Sequence, residues 1–477
     1  PSVPTFCRWR SPSGNDLLLV YQKDYGEDEV LPDGKTVVSI NFTGDNHGPH
    51  SYERVKKIYA DLRKRYPQAQ LVGASFNDVA RELLLIKKDL PVVTSEIGDT
   101  WIFGYGGAPI RMAKFRAVSR LYSQWLNEGK IKKDSDVALD FAAELGLIAE
   151  HTQGVDVKTH LRQWDKYDMD KFLKGRSEGV FSMAEASWKE IDNYIDSAIA
   201  FLPASLQKEA REVVAEVDKV KLEDNSKMKP MARKRWEQPI AGGMTLAGLS
   251  YQMFDGDDYD DFQNRYLRAR YEWALDDLGK RGLKESHAVS VTLYAQTMAQ
   301  SVRKEKKGTR IITELRFPEN EKVDKRVYPE RIQVNCFTTK NGKRSEVALT
   351  IYGKPAVRLP ESYWLSFTVP GIESVIAEKM GERVNLMDVV EKGNRQMHGI
   401  DRYVDLITSG ETIRISSKEA FLLNVGEAQG LNYSTNYPDK RKGVHFNLNN
   451  NLWGTNFSMW NEGSLTYHFV IETLSRK

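Results

Sequence analysis

The chain has 477 residues, which corresponds to about three domains of ~150 residues each. Charged residues make up 28% and hydrophobic residues 40%, an ordinary globular composition that excludes wholesale disorder. With 69 basic and 66 acidic residues the net charge is +3, and this small surplus without a long basic stripe argues against a dedicated nucleic-acid binder. No apolar run approaches the ~18–20 residues that span a bilayer.

The first hundred residues alternate between strand and helix patterns, which is typical of a parallel sheet or a β/α barrel. They supply too few units of ~30–40 residues for a complete layer. We therefore expect the chain to begin inside a domain whose earlier strands precede Pro1. The predicted elements are strands over 17–22, 36–42, 70–74 and 91–94, a helix after Ser51, and a helix over 79–86 capped by Asn77.

The rest of the chain changes from helix to strand. Apolar residues recur at three and four from Pro109 to about Lys221, which predicts a helical bundle. After Trp236, short strands separated by turn residues predict a large antiparallel β-sandwich, with one helical stretch over 258–278. The fold class is thus α/β plus all-β and multidomain, with regions 1–104, 105–225 and 236–477. The predicted strands are 289–294, 309–316, 331–337, 346–352, 363–367, 412–416 and 467–472.

Two cysteines, Cys7 and Cys336, match no metal or redox spacing and are expected to be isolated thiols. Aromatic residues are plentiful, with 10 Trp, 21 Tyr and 18 Phe. Such rings serve as stacking platforms in sugar-binding clefts and also fill sandwich cores, so that composition leaves the two uses open.

A polar loop, Thr43 to His50, directly follows a predicted parallel strand. Active sites of α/β proteins lie at the carboxyl ends of such strands. Asp45, Asn46 and His47 are therefore candidates for acid–base chemistry or for binding sugar hydroxyls. The alternative is a polar turn before the next helix.

A second polar loop follows the strand predicted over 91–94. Glu96 and Asp99 could accept hydrogen bonds from a sugar, and Trp101 could stack on its ring. The alternative is a βα loop whose carboxylates cap the next helix.

The third candidate is His151, which lies between two predicted helices. A neutral imidazole is a common zinc ligand, but a histidine at a helix end is also favoured by the helix dipole. Asp156 is a candidate N-cap of the following helix. The acidic run 255–261 lacks the central glycine and closing Glu of a calcium loop and is interpreted as a charged helix entry.

In this order, the three loops resemble the class II α-mannosidases, glycoside hydrolase family thirty-eight. Residues 44–47 resemble the barrel segment around that family's acid aspartate, and residues 96–109 resemble the stretch with its sugar-stacking tryptophan. Residues 145–154 resemble the segment that supplies a zinc-ligand histidine. This likeness is confined mainly to residues 35–165.

A second resemblance covers the whole chain. Residues 6–10, 358–364, 393–398 and 445–460 are similar to motifs of an uncharacterised family of unknown function, related to the mannosidases. The resemblances imply the C-terminal part of a seven-stranded type of β/α barrel, a helical bundle and a galactose-mutarotase-like sandwich. They also imply that about 150–200 residues of barrel, with the nucleophile and the other metal ligands, precede Pro1.

Two departures from the mannosidase pattern point to a changed substrate. Asn46 stands at the family's acid position, with Asp45 one residue earlier, and an amide cannot protonate a leaving oxygen. Thr152 stands where the family has an aspartate after its zinc histidine, so the hydroxyl acceptor there is lost or moved to Asp156.

The resemblance implies a retaining glycosidase, a hydrolase of O-glycosyl bonds that acts on a glycan and uses one divalent metal, zinc. Asp45 would be its acid and His151 a metal ligand. The alternative is a carbohydrate-binding relative that has lost catalysis. A glycan-degrading role favours an extracytoplasmic location, and homo-oligomerisation is left open. The residues expected to bind substrate are Asn46, His47, Glu96, Asp99, Trp101 and Asp156.

Overall fold

The structure is a computed structural model that describes residues 3–23, 26–44, 47–98, 100–268, 270–454 and 456–474. The chain divides into two compact units. The first unit combines Pro1–Ile97 with Asp388–Lys392, and the second combines Gly98–Met387 with Gly393–Lys477. The three-region division expected from the sequence stays a prediction.

The first unit contains two small sheets and two helices. In the larger sheet the strand order is β2-β1-β5, with β1 antiparallel to β2 and parallel to β5, while β3 and β4 form a separate antiparallel pair. A small core packs between these elements and includes Phe6, Leu31 and Leu83. The elements are β1 Phe6–Arg10, β2 Asp16–Val20, β3 Asp28–Val30, β4 Val37–Ser39, α1 Tyr52–Arg65, α2 Phe76–Leu85 and β5 Val92–Val93.

The parallel order predicted for this unit is found in one strand pair among its described residues. Residues 70–74, all described, form no strand, and the run 36–42 pairs only over three residues in an antiparallel hairpin. Phe42 and Val72 are exposed, so these apolar runs are not strands buried on both faces. Ser51 caps α1 as predicted, but Ser75 rather than Asn77 begins α2, because its backbone N–H donates to Asp78 at 2.7 Å.

The helices of the second unit lie mostly in its first 120 residues. Helices α3, α4, α7 and α8 share a hydrophobic core that includes Trp125, Phe141, Ile195 and Leu206. The predicted helical stretch 258–278 is divided into α9 and α10. The helices are α3 Pro109–Asn127, α4 Asp136–Gly146, α5 Val157–His160, α6 Met169–Ser177, α7 Ser182–Ala200, α8 Ala204–Asp218, α9 Gly256–Tyr266 and α10 Glu272–Asp277.

The strands of the second unit form two large antiparallel sheets, as predicted. The ten-stranded sheet has the order β16-β15-β18-β19-β22-β13-β12-β11-β10-β6, and the seven-stranded sheet has the order β17-β20-β21-β14-β8-β7 with β9 beside β8. All seven predicted strands are present. The strands are β6 Lys229–Pro230, β7 Gln238–Pro239, β8 Thr245–Met253, β9 Val291–Tyr294, β10 Gln296–Lys304, β11 Gly308–Arg316, β12 Arg331–Thr339, β13 Arg344–Lys354, β14 Glu361–Thr368, β15 Ile372–Lys379, β16 Glu382–Asn385, β17 Met397–Gly399, β18 Tyr403–Thr408, β19 Thr412–Ser417, β20 Leu422–Val425, β21 Val444–Asn450 and β22 Gly463–Leu474.

Several local predictions can be compared with the structure. Cys7 and Cys336 are both free and buried. Asp255 caps α9 and accepts from two backbone N–H groups, so the acidic run is the charged helix entry that its residues predict. Among the described residues, no helix is long and apolar enough to cross a membrane.

Buried polar side chains hold the end of β21 against β14. Asn451 accepts a hydrogen bond from the Glu361 N–H at 2.7 Å, and its amide NH2 shares two N–H bonds among the carbonyls of Val357, Leu359 and Met459 at 2.9–3.1 Å. One side chain thereby joins two separate stretches of backbone, 357–361 and the one at Met459. Because the side chain is buried, water cannot replace these partners.

We expect the Asn451→Ala substitution to lower the free energy of unfolding by about 2–4 kcal/mol, because it leaves buried backbone groups without partners. Urea denaturation of both proteins measures the difference. The control is Asn436→Ala, at an exposed loop position, which should change stability by less than about 0.5 kcal/mol. Equal effects of the two substitutions would contradict this role of Asn451.

Candidate functional site

The predicted site residues in the first hundred positions are only partly described. Asp45, Asn46 and Asp99 lie outside the described residues, and their roles stay predictions. His47 is exposed, next to Gly44. Glu96 is half-buried. Its backbone N–H donates to the Asp388 carbonyl at 2.9 Å, which joins it to the later segment, Asp388–Lys392, that also belongs to the first unit.

Trp101, the predicted stacking residue, lies in the second unit on a 3₁₀ segment, Thr100–Gly107. Its half-buried ring packs against Phe457 with the centroids 5.0 Å apart. Glycines make this approach possible: a Cβ on Gly104 would lie 2.3 Å from the Phe457 ring, and one on Gly106 would lie 2.2 Å from the amide nitrogen of Asn450. Only glycine fits at these two positions.

The same segment is hydrogen-bonded to the motif 445–460 that the sequence singles out. Asn450 donates its side-chain amide to the Phe103 carbonyl at 2.9 Å, and Trp453 donates its indole N–H to the Thr100 carbonyl at 3.0 Å. Both donors are buried. The position of Trp101 is therefore set by the C-terminal strands of the sheet.

His151 is exposed at the end of the helical stretch, and its Nδ1 pairs with the carboxylate of Glu150. Asp156 is the N-cap of α5, as predicted, because its carboxylate accepts from the Lys158 N–H at 3.0 Å and from the Thr159 hydroxyl at 2.8 Å. Asp156 therefore has a structural role in addition to any contact with a ligand.

The donor groups around His151 do not complete a zinc site. Zinc usually takes three or four protein ligands, and Glu150 and His151 supply two. Within the described ranges, no group of three or more His, Cys, Asp or Glu side chains is placed to hold a metal ion.

Next to α5 lies a small cavity of about 20 Å³ whose polar lining is mostly cationic. Lys158 pairs with Asp277 of α10, and the Gly454 N–H donates to the Asp277 carbonyl at 2.8 Å. These contacts bring α5, α10 and the motif 445–460 together. The side chains that line the cavity include Lys158, Trp164, Tyr167, Asp276, Lys280 and Arg358.

Lys280 is a residue that the sequence interpretation did not identify. Its ammonium donates to the Trp453 carbonyl at 2.9 Å. Burial, together with the positive charge of Arg358, lowers the pKa of Lys280 to about 7. A lysine in a sequence carries no signal of such a shift, because the shift depends on what the fold packs around it.

A much larger cleft, about 1010 Å³, lies between the outer face of the ten-stranded sheet and helices α3 and α8. Its floor consists of two rungs that cross β12, β13 and β22. Asn335 lies opposite Ala348 and then His468, and the neighbouring rung places Gln333, Thr350 and Thr466 in line.

One histidine of this cleft is held by a carboxylate. His468 Nδ1 lies 3.1 Å from Glu419 Oε1, and the His468 backbone N–H donates to Glu419 Oε2 at 2.7 Å. The Glu419 side chain is 10% exposed and the His468 side chain 46% exposed. The carboxylate therefore orients the ring through Nδ1 while part of the imidazole remains accessible from the cleft. The period-two alternation of the strands predicts a polar face, but not that these strands are neighbours.

Comparison with known proteins supports the resemblance predicted from the sequence. Residues 106–240 match a family profile described as a domain of unknown function (DUF5054). No curated protein matches the chain.

Among solved structures, an α-mannosidase from Enterococcus faecalis V583 is similar over 99% of this chain and 69% of its own, with 9% identity and a TM-score of 0.50. A glycosyl hydrolase family 38 protein from Enterococcus faecalis covers the same shares with 9% identity and a TM-score of 0.43. The profile match and the shared fold fit an uncharacterised family related to the family 38 α-mannosidases.

We expect Lys280 to make stability rise with pH. Between pH 7 and 10.5 the unfolded chain keeps a proton that the folded Lys280 has lost, so raising the pH favours the folded state. The free energy of unfolding should rise by up to about 1.4 kcal/mol per pH unit in this window, relative to Lys280→Met. Urea denaturation at pH 7, 8 and 9 measures this difference. The control, Lys174→Met at an exposed position, should follow the unsubstituted protein, and the same slope in the Lys280 variant would contradict the assignment.

Proposed function

We propose that this protein is a glycoside hydrolase that acts on a glycan outside the cytoplasm. The observation that carries the proposal is the fold, which matches that of a solved α-mannosidase over 99% of the chain. At 9% identity a shared fold leaves the chemistry open, so the proposal depends also on the residues that the mannosidase pattern shares with this sequence.

In the proposed reaction Asp45 protonates the leaving oxygen of the glycosidic bond. Retaining glycosidases use two carboxyl groups about 5 Å apart, and the acid must keep its proton near neutral pH. The proposed substrate contacts are one aromatic ring that stacks on the sugar and several polar side chains that form hydrogen bonds with its hydroxyls. They are made by Asn46, His47, Glu96, Asp99, Trp101 and Asp156.

We expect Asp45→Asn to lower activity toward glycosides with poor leaving groups by about 10²–10⁴-fold, because the leaving alkoxide is then not protonated. Activated aryl glycosides need little protonation and should lose much less. Steady-state kcat/KM with both substrate types measures the split. Asp134→Asn, at an exposed loop position, is the matched control. Equal losses on both substrate types would remove Asp45 from the acid role.

We propose a divalent metal, zinc, as the cofactor, with His151 as one ligand. The other ligands would have to come from residues beyond Glu150 and His151, because two donors do not hold zinc tightly.

The natural protein should contain about one metal ion per chain, held in part by His151. Elemental analysis of that protein, beside His151→Ala, measures this. His160→Ala, at another exposed histidine of the same region, is the control and should keep the metal. Stoichiometric metal that survives His151→Ala would make His151 a helix-end residue only.

The second candidate function is carbohydrate binding without catalysis, and the cleft beside His468 favours it. Its volume lies at the upper end of the range for small-molecule sites, and its floor of amides and hydroxyls, surrounded by charged side chains of both signs, suits a polyhydroxylated ligand. If the protein binds glycans that it does not cleave, and His468→Ala weakens that binding while Asp45→Asn does not, this function replaces hydrolysis.

A further inference from the structure

Arg358 is a buried cation that has no carboxylate partner in the part of the chain that the structure describes. Its side chain lines the cavity beside α5, and the residue is 2% exposed. Nη1 is buried and has no hydrogen-bond partner among the described residues. The guanidinium lies over two rings, 4.2 Å from the Tyr167 centroid and 5.1 Å from that of Phe181.

Without an anion nearby, burial of this charge has a large free-energy penalty. Arginine remains protonated inside proteins, and a buried charge is normally paired with a carboxylate. Aromatic faces stabilise a desolvated cation by about 2 kcal/mol, which offsets only part of the loss of hydration. Nη1 is therefore a buried donor without an acceptor among the described residues.

The acidic groups around the cavity are already paired with other cations. Asp277 pairs with Lys158, and Asp276 lies 3.8 Å from Arg281. Asp165 is exposed and lies 3.6 Å from Lys166. None of these carboxylates forms an ion pair with Arg358, although Asp165 attracts its charge from farther away, so the charge has no direct counter-ion within the described part of the chain.

Lys280 adds a second positive charge to the same cavity when it is protonated. Its ammonium donates to the Trp453 carbonyl, and within the described ranges no carboxylate pairs with it. The charged and titratable groups that line this cavity with Lys280 are Arg358, Lys158, Arg281, Asp276 and Tyr167, and those that line a neighbouring cavity with it also include Tyr259, Asp260, Lys284 and Glu285. Cations exceed carboxylates in this set, which favours a negatively charged occupant.

The size of the cavity limits what the occupant is. About 20 Å³ is room for roughly one water-sized particle. A monatomic anion fits this space, whereas an oxyanion could insert only one of its oxygens.

We propose that this cavity binds a single halide ion, chloride under ordinary conditions, between Arg358 and Lys280. The site is independent of the proposed glycosidase function, because it uses none of the residues assigned to catalysis. Bound chloride neutralises the excess positive charge and stabilises the contact between α5, α10 and the motif 445–460. An anion also favours protonated Lys280, so chloride binds more tightly as the pH falls from 8 to 6.

The test is thermal unfolding of the whole chain in sodium chloride, sodium bromide, sodium acetate and sodium gluconate at constant ionic strength. Chloride and bromide should raise Tm saturably by about 1–3 °C, more at pH 6 than at pH 8, whereas gluconate should not. Crystals soaked in bromide should show an anomalous peak beside Arg358. Arg358→Met should abolish the saturable rise.

Arg116→Met is the matched control, because Arg116 is also buried but donates to backbone carbonyls, and this variant should keep the chloride response. If Arg358→Met does not fold, Lys280→Met serves instead and should weaken the response and remove its dependence on pH. A Tm that is equal in all salts, or that rises without saturation, overturns the proposal. A rise in acetate alone overturns the halide and identifies a carboxylate group as the occupant.

Discussion

The buried amides of Asn450 and Asn451 are the interaction on which the second unit depends most. Asn450 is the last residue of β21 and Asn451 follows it, and their amides bind different segments: Asn450 the one that carries Trp101, Asn451 the backbone before β14. Each amide forms the hydrogen bonds that buried backbone carbonyls would otherwise need from water. The loops of the candidate site are thus fixed by side chains of the sheet and not by their own composition.

Two buried carboxylates of the same unit are each paired with an arginine, and Arg358 contrasts with them. Asp405 is fully buried and accepts from Arg414 at 2.7 and 2.9 Å, and Glu378 accepts from Arg402 at 2.8 and 2.9 Å. These carboxylates are satisfied because the strands place an arginine opposite each one. Arg358 is buried to the same degree and has aromatic rings where a carboxylate would be expected. Its environment favours an external anion over an internal partner.

This chain shares its fold with a solved α-mannosidase, and a shared fold does not determine the reaction, which depends on the site residues. His151 pairs with Glu150 at the surface, and the carboxylate of Asp156 caps α5. A neighbouring carboxylate is compatible with a metal-ligand histidine, which often donates its second nitrogen to such a group. In the cleft beside His468, polar side chains of the sheet itself form the floor.

The sequence by itself determined the strands of the second half and several helix starts. Alternating apolar residues, bounded by turn residues, predicted β11 and β12. Ser51 and Asp156, whose side chains can cap a helix, predicted the starts of α1 and α5. These signals are local, because they depend on neighbours within a few residues. The loop motifs also carried the family resemblance.

Only the tertiary structure decided which segments meet. An apolar run does not reveal whether both its faces are buried. For this reason the prediction of a parallel strand over residues 70–74 was wrong. Strand order placed β22 between β13 and β19, which brought His468 into line with Asn335. The unpaired charge of Arg358 and the shifted pKa of Lys280 likewise arise from residues far apart in the chain. Periodicity shows which face is buried, but the partner on that face is chosen by long-range packing.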